Sequence, residues 1–319
     1  MIAAREIEAI ESSDTDELLR IVDGLCSSRS WDDLIELRHR CAEAVGRGKQ
    51  VWGVEEHIRY RLVLEGPAPI AGPVLAEGQS RFALGPLPEV AASTKPWIDL
   101  APHIPAGPER DTVAAERVVR GEGVDVPIPD LPAMLMTWEP AYPTATYKKD
   151  KVEAPAPPIP DTVEAVLPGL TETIDDTDSL AALGDLVEPW TDQSNGRSQA
   201  AAVEGDHLAA IAALGMTRAR VARIDASHGL AWMGWAAASG GAHGRRRGAA
   251  AGRYLAWWAV ATLIDLDWPA DPQSMGAAVA GLNWHWFDDG NPETGWLLRL
   301  AISSADLGIS WALAATDQV

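Results

Sequence analysis

The chain has 319 residues, with 46 acidic against 26 basic side chains and a net charge of −20, so on average it repels nucleic acid and anionic membranes. Hydrophobic residues make up 47% of it, enough for one large core or two ordinary ones. The uncharged apolar run Tyr254 to Ile264 is too short to cross about 30 Å of hydrocarbon, and Met1 to Arg20 lacks the basic start and apolar block of a secretion signal; a soluble, cytoplasmic protein with no membrane contact is expected.

Residues 1–125 read as short helices joined by tight, proline-marked turns. Asp14 or Thr15 can cap a helix through Leu18, Leu19, Val22 and Leu25, whose spacing gives one apolar stripe. A second helix starts after Ser30, carries Asp32 and Asp33 in its first turn, and places Leu34, Leu37, Cys41 and Val45 on one face before Gly46 and Gly48 end it. A third runs from about Val51 to Leu64 and stops before Gly66-Pro67. Further helices are expected at Pro88–Ser93, Pro96–His103 and Glu109–Arg120. The pattern suits a helical bundle or an irregular α-solenoid of the HEAT or armadillo sort, although no fixed sequence period is present. Cys26, His39 and Cys41 lack the fourth ligand and the spacing of a structural zinc site, so neither a metal nor a cofactor is expected there.

Nine of the 23 prolines lie between Pro127 and Pro160, which excludes helix over most of 126–170. Leu131, Met134, Leu135, Met136, Trp138, Tyr142 and Tyr147 are too many large apolar groups for a solvated tether, so an ordered strap is expected. Residues 171–319 hold ten of the fourteen tryptophans and read as a helical domain. Helices are expected at Ser179–Val187 (capped by Asp178 or Ser179), Ser198–Leu214, Ser227–Ala238 and Arg245–Ile264. A small β-hairpin at about 282–302 turns at Asp288-Asp289-Gly290-Asn291-Pro292, and a last helix, Ser304–Thr316, packs Leu307, Trp311 and Ala314 inward. Asp288, Asp289, Asn291 and Glu293 lack the twelve-residue ligand pattern of a calcium loop. The fold class expected is mainly α.

Charge is unevenly spread. Val152 to Gly196 holds ten acids and no base, whereas His207 to Ile264 holds seven arginines (218, 220, 223, 245, 246, 247 and 253) and one acid, Asp225. Inside this basic island lies Ser239-Gly240-Gly241-Ala242-His243-Gly244-Arg245-Arg246-Arg247-Gly248. A glycine-rich turn opening a helix offers free backbone N–H groups to an anion, and guanidinium groups suit bidentate phosphate or carboxylate contacts. Gly240, Gly241, His243, Gly244, Arg245, Arg246, Arg247 and Arg253 are therefore candidate anion-binding residues, with Arg197 of the Asn195-Gly196-Arg197 turn a further one. Two structural readings compete with this. Gly244, Gly248, Gly252 and Ala256 recur every fourth residue and permit close helix packing, and the arginines can pair with the acids of 152–196. The tryptophans beside the arginines read as core filler first and as base-stacking groups second.

Three segments carry a resemblance: Phe82 to Ser93, Trp138 to Tyr142 with Ala145 to Tyr147, and Ser239 to Arg253. Together they resemble an uncharacterised family of actinobacterial proteins, which implies no activity, cofactor or catalytic residue. The leading functional expectation is a non-enzymatic interaction or scaffold protein with a protein partner. An enzyme or sensor binding a phosphorylated or carboxylated small molecule at Gly240–Arg247 is the alternative, and nucleic-acid contact through the island 218–253, disfavoured by net charge, is the third.

Overall fold

The computed structural model of the protein describes residues 4–78, 80, 83–169, 171–291 and 294–318. Phe82 of the first resembling segment and Pro292 and Glu293 of the expected turn lie outside the described residues. The chain divides into two units, Met1–Arg117 with Ala145–Glu153, and Val118–Thr144 with Ala154–Val319.

The first unit is built on helices α1 (Ala4–Ser12), α2 (Thr15–Ser27), α3 (Trp31–Gly46), α4 (Trp52–Glu65), α5 (Ala68–Leu75), α6 (Leu87–Thr94), α7 (Trp97–Leu100) and α8 (Pro108–Val119), whose last two residues fall in the second unit. Asp14 caps α2 by accepting from the Glu17 N–H at 3.0 Å, and α2 buries Leu18, Val22 and Cys26. Helix α3 buries Leu34, Leu37, Cys41 and Ala44. Both cysteines are free, and burial pushes their thiols up to about 11 for Cys26 and about 12 for Cys41, which leaves them protonated and unreactive. Helix α4 is buried along most of its length, and the short strands β1 (Thr146–Tyr147) and β2 (Val152–Glu153) pair antiparallel.

The second unit overturns the mainly-α expectation. About 47% of the protein is helical, but a six-stranded antiparallel sheet forms the centre of this unit. Its strands are β3 (Val163–Ala165), β4 (Arg197–Glu204), β5 (Ala219–Ile224), β6 (Leu282–Asp288), β7 (Trp296–Ser304) and β8 (Ile309–Asp317), in the order β3-β5-β6-β7-β8-β4. The expected helix Ser198–Leu214 is strand β4 followed by the shorter helix α11 (His207–Ala213), and the expected last helix Ser304–Thr316 is mostly strand β8. The expected small hairpin at 282–302 is the β6–β7 pair at the middle of this sheet.

The physical reason lies in burial on both faces. Trp284, Trp286, Leu298, Leu300, Trp311 and Leu313 pack under α9 (Thr177–Asp185), α12 (Ala226–Ala238), α13 (Ala249–Leu263) and α14 (Pro272–Gly281). Ala201, Val203, Val221, Phe287, Ala301 and Ala312 pack on the opposite side with α11. A strand covered on both faces shows no polar–apolar alternation, and alanine-rich segments then mimic helix in propensity. Leu307, expected inward, is 49% exposed in the β7–β8 turn. Asp176, rather than Asp178 or Ser179, caps α9, accepting from Ser179 N–H. Helices α12 and α13 cross closely: a Cβ on Gly252 would lie 2.1 Å from the Gly234 carbonyl oxygen.

Candidate functional site

The glycine–arginine loop lies between α12 and α13 and packs on α10 (Glu188–Asp192) and the turn after it. Four of its backbone N–H groups are given to side-chain acceptors of the protein itself. Gly241 donates to Ser239 Oγ at 3.0 Å, Ala242 to the Asp317 carboxylate at 2.6 Å, His243 to Ser194 Oγ at 3.1 Å, and Arg245 to Gln193 Oε1 at 3.1 Å. The anion this turn cradles is thus Asp317, 1% exposed at the end of β8. Gly240 and Gly244 hold the tight turn, since a Cβ on Gly240 would sit 2.1 Å from the Gly244 oxygen and one on Gly244 would sit 2.3 Å from the Gly240 oxygen.

The cations disperse. Arg247 donates to the Asp185 carbonyl at 2.8 Å and pairs with Glu188, and Arg218 pairs with Glu164 at 3.4 Å; both carboxylates come from the acidic stretch 152–196. Arg253 is 1% exposed and binds Glu139 through two nitrogens at 2.7 and 2.8 Å, while the Pro132 and Met134 carbonyls accept from its Nη1 and Nη2. Glu139 also accepts from Trp257 Nε1 at 2.8 Å and from the Met136 N–H at 2.8 Å, so this pair ties the proline-rich segment to α13. His243 and Arg245 are exposed, Arg246 is half-buried, and Arg197 lies exposed at the start of β4 opposite Thr316. Arg253 is thus drawn away from the loop it follows in sequence.

A concavity in the helical unit went unread in the sequence. It has a volume of about 690 Å³ and is walled by Leu64, Pro67, Pro69, Ile98 and Pro102, with Lys95, Glu65, Asp99 and His103 as its charged and polar groups. Gly66 and Pro67 end α4 here, and Gly72 of α5 lets the His103 backbone come close, since a Cβ there would lie 2.3 Å from the His103 oxygen. Helix α6 delivers Lys95 to the end of α4, where its Nζ donates to the Val63 carbonyl at 2.6 Å and the Leu64 carbonyl at 3.0 Å, and contacts Thr94 Oγ1 at 3.0 Å. The negative end of the α4 dipole favours this cation. Burial acts against it more strongly and, despite an opposing effect of Glu65, brings the ammonium down to about 8. Glu65 itself holds Arg61 at 2.5 Å, and Ile98 is 77% exposed at the rim.

The model of a family of unknown function, DUF6183, matches residues 16–318, which takes in both units and the resembling segments. The chain belongs to this family. No curated protein and no solved structure matches the chain. Membership of DUF6183 therefore brings no ligand or reaction to the loop or to the groove. The sequence signal for the groove is slight: a lysine between a helix end at Thr94 and Pro96, with nothing to show that it meets the end of α4.

Proposed function

We propose that the protein acts by binding another protein rather than by catalysing a reaction, and that the groove between the end of α4 and helices α5 and α7 receives the partner. The observation that carries this reading is Ile98, an aliphatic side chain 77% exposed on the rim of a groove walled by Leu64 and three prolines. An exposed large apolar group beside a concavity is a common anchor point for a partner side chain. The absence of any transmembrane-length apolar helix among the described residues is compatible with this reading, and a cytoplasmic site of action belongs to the same proposal, supported by the two free, buried thiols; recovery of the native protein in a secreted or membrane fraction would refute that location.

The test is affinity capture at low salt from the cells that make the protein, with wild type and Ile98→Asp in parallel. A stoichiometric protein recovered by the wild type and lost with Ile98→Asp supports the reading; no stoichiometric partner, or one that ignores the substitution, counts against it. The anion-ligand and nucleic-acid readings draw no support from Arg247, Arg253, Arg218 and Arg220, whose partners are Glu188, Glu139, Glu164 and the Thr162 carbonyl.

A further inference from the structure

We infer that the stacked pair His207–His285 is a pH-sensitive latch, in which a proton taken up by His285 releases the first turn of α11 from the sheet. The device lies wholly in the sheet unit and is independent of whether the groove receives a partner.

Strand register brings its parts together. Arg223 of β5 lies opposite His285 of β6, which in turn lies opposite Ala301 of β7, and two residues along Asn283 lies opposite Ser303. Side chains two apart share a face of the sheet, and Arg223 reaches across this one to donate to Asn283 Oδ1 at 3.4 Å. Helix α11 covers the same face, packing Ala210 and Ile211 with Ala301 and Phe287. Its first residue, His207, lays its ring flat on His285, with centroids 3.6 Å apart and planes 4° from parallel.

Under that ring His285 is 9% exposed, and its Nδ1 is closed off from solvent with no hydrogen-bond partner among the described residues. A neutral imidazole tolerates this, because its proton sits on Nε2 and Nδ1 is only an unused acceptor. An imidazolium carries a proton on both nitrogens. Nδ1 then becomes a buried donor without an acceptor, on a buried charge without a counter-ion. The surrounding groups do not supply one. Arg223 from β5 and His207 from α11 both oppose the new charge, and with burial they hold the ring down at about 4. Ala301 and Ser303 of β7, Ala312 and Ser310 of β8 and Ala201 and Val203 of β4 are uncharged, and Glu204 at the end of β4 is exposed. Asp206 favours the charge, but its Oδ1 is committed to the Leu208 and Ala209 N–H groups at 3.0 Å as the cap of α11. Asp225, past the end of β5, caps α12 instead.

Movement of the first turn relieves the conflict by admitting water to His285. Its two ends are held. The Gly205 N–H donates to the Gly308 carbonyl at 3.0 Å and the Gly205 carbonyl accepts from Ser310 Oγ at 2.7 Å, while Ile211 stays in the core. His207, Leu208 and Ala209 between them are only half-buried, so the segment that must lift is short.

The experiment is hydrogen exchange of the full-length protein at pH 7.5 and pH 5, read by mass spectrometry and corrected for the unfolded-chain rate at each pH. An imidazole that titrates at 6.5 when open and at about 4 when closed makes opening about 30-fold more favourable at pH 5. The expected result is a loss of protection of that size over residues 206–213, insensitive to dilute urea because little surface is exposed. His285→Phe, or His285→Asn if the first does not fold, should remove the pH dependence, and His207→Ala should show low protection already at pH 7.5. Protection that is unchanged at pH 5, a loss that persists in the His285 variants, or a loss that steepens with urea as it does in α12 overturns the latch.

Discussion

The arginine loop of the sheet unit and the lysine groove of the helical unit treat positive charge in opposite ways. Arg247 and Arg253 lie in the most basic stretch of the chain, yet the fold gives each a carboxylate, and the backbone donors beside them are filled by Asp317 and by serine and glutamine side chains. Lys95 has no basic neighbour in sequence, and among the described residues its Nζ donates to two carbonyls and a hydroxyl. A cluster of charges in a sequence is thus a poor guide to unspent charge in a structure. What counts is whether an opposite charge reaches the group after folding, and that is set by residues far away in the chain.

The strongest way to sharpen this contrast is to break the Arg253–Glu139 pair. Glu139→Ala strands a guanidinium that is 1% exposed and also removes the acceptor for Trp257; a loss of about 3–5 kcal/mol in urea unfolding is expected. Arg253→Met with Glu139→Gln should recover part of it, and a Glu139→Ala variant as stable as wild type would mean the pair is not structural. Next in size is Gly241→Ala. Its Cβ would lie 2.2 Å from the Asp317 carboxylate at a residue with φ of 70°, so a loss of about 2 kcal/mol or more is expected. An alanine tolerated there at no cost would show that Asp317 does not occupy the turn.

A comparable effect should come from pH. His285 stacks on His207 with ring centroids 3.6 Å apart, and burial, helped by His207 and Arg223, pushes it down to about 4. Above pH 6.5 the imidazole is neutral in both folded and unfolded chains and its contribution is at its most favourable. As pH falls the unfolded chain takes up a proton that the folded one refuses, so stability is lost between pH 6.5 and about 4 and levels off below that. The loss should be on the order of 3 kcal/mol and should shrink in His285→Phe; an unchanged slope in that variant would place the titration elsewhere. Smallest of all is Arg245→Ala, an exposed side chain, for which thermal unfolding should change by less than about 0.5 kcal/mol. A large loss there would restore a structural or binding role to the loop's exposed arginine.

Local chemistry alone marked out a good part of the molecule. The Asp14 cap, the apolar stripe ending in α2, the stop at Gly66-Pro67, helix α12 and the β6–β7 strands follow from capping, periodicity and turn residues within a few positions of one another. Strands β4 and β8 did not, because both are alanine-rich and are covered on both sides over Ala201–Val203 and most of Ile309–Asp317, so their identity depends on the partner strand rather than on their own pattern. The loop and the groove divide in the same way. Glycines and arginines announced a loop at 240–247, but only tertiary structure placed Asp317 in its cradle and Glu188 on Arg247. Nothing around Lys95 announced a site at all, since it arises where the end of one helix meets the end of another thirty residues earlier. Short-range preferences act within a turn or two of the chain, whereas the charge state and accessibility of a side chain depend on whichever groups folding brings within a few ångströms of it.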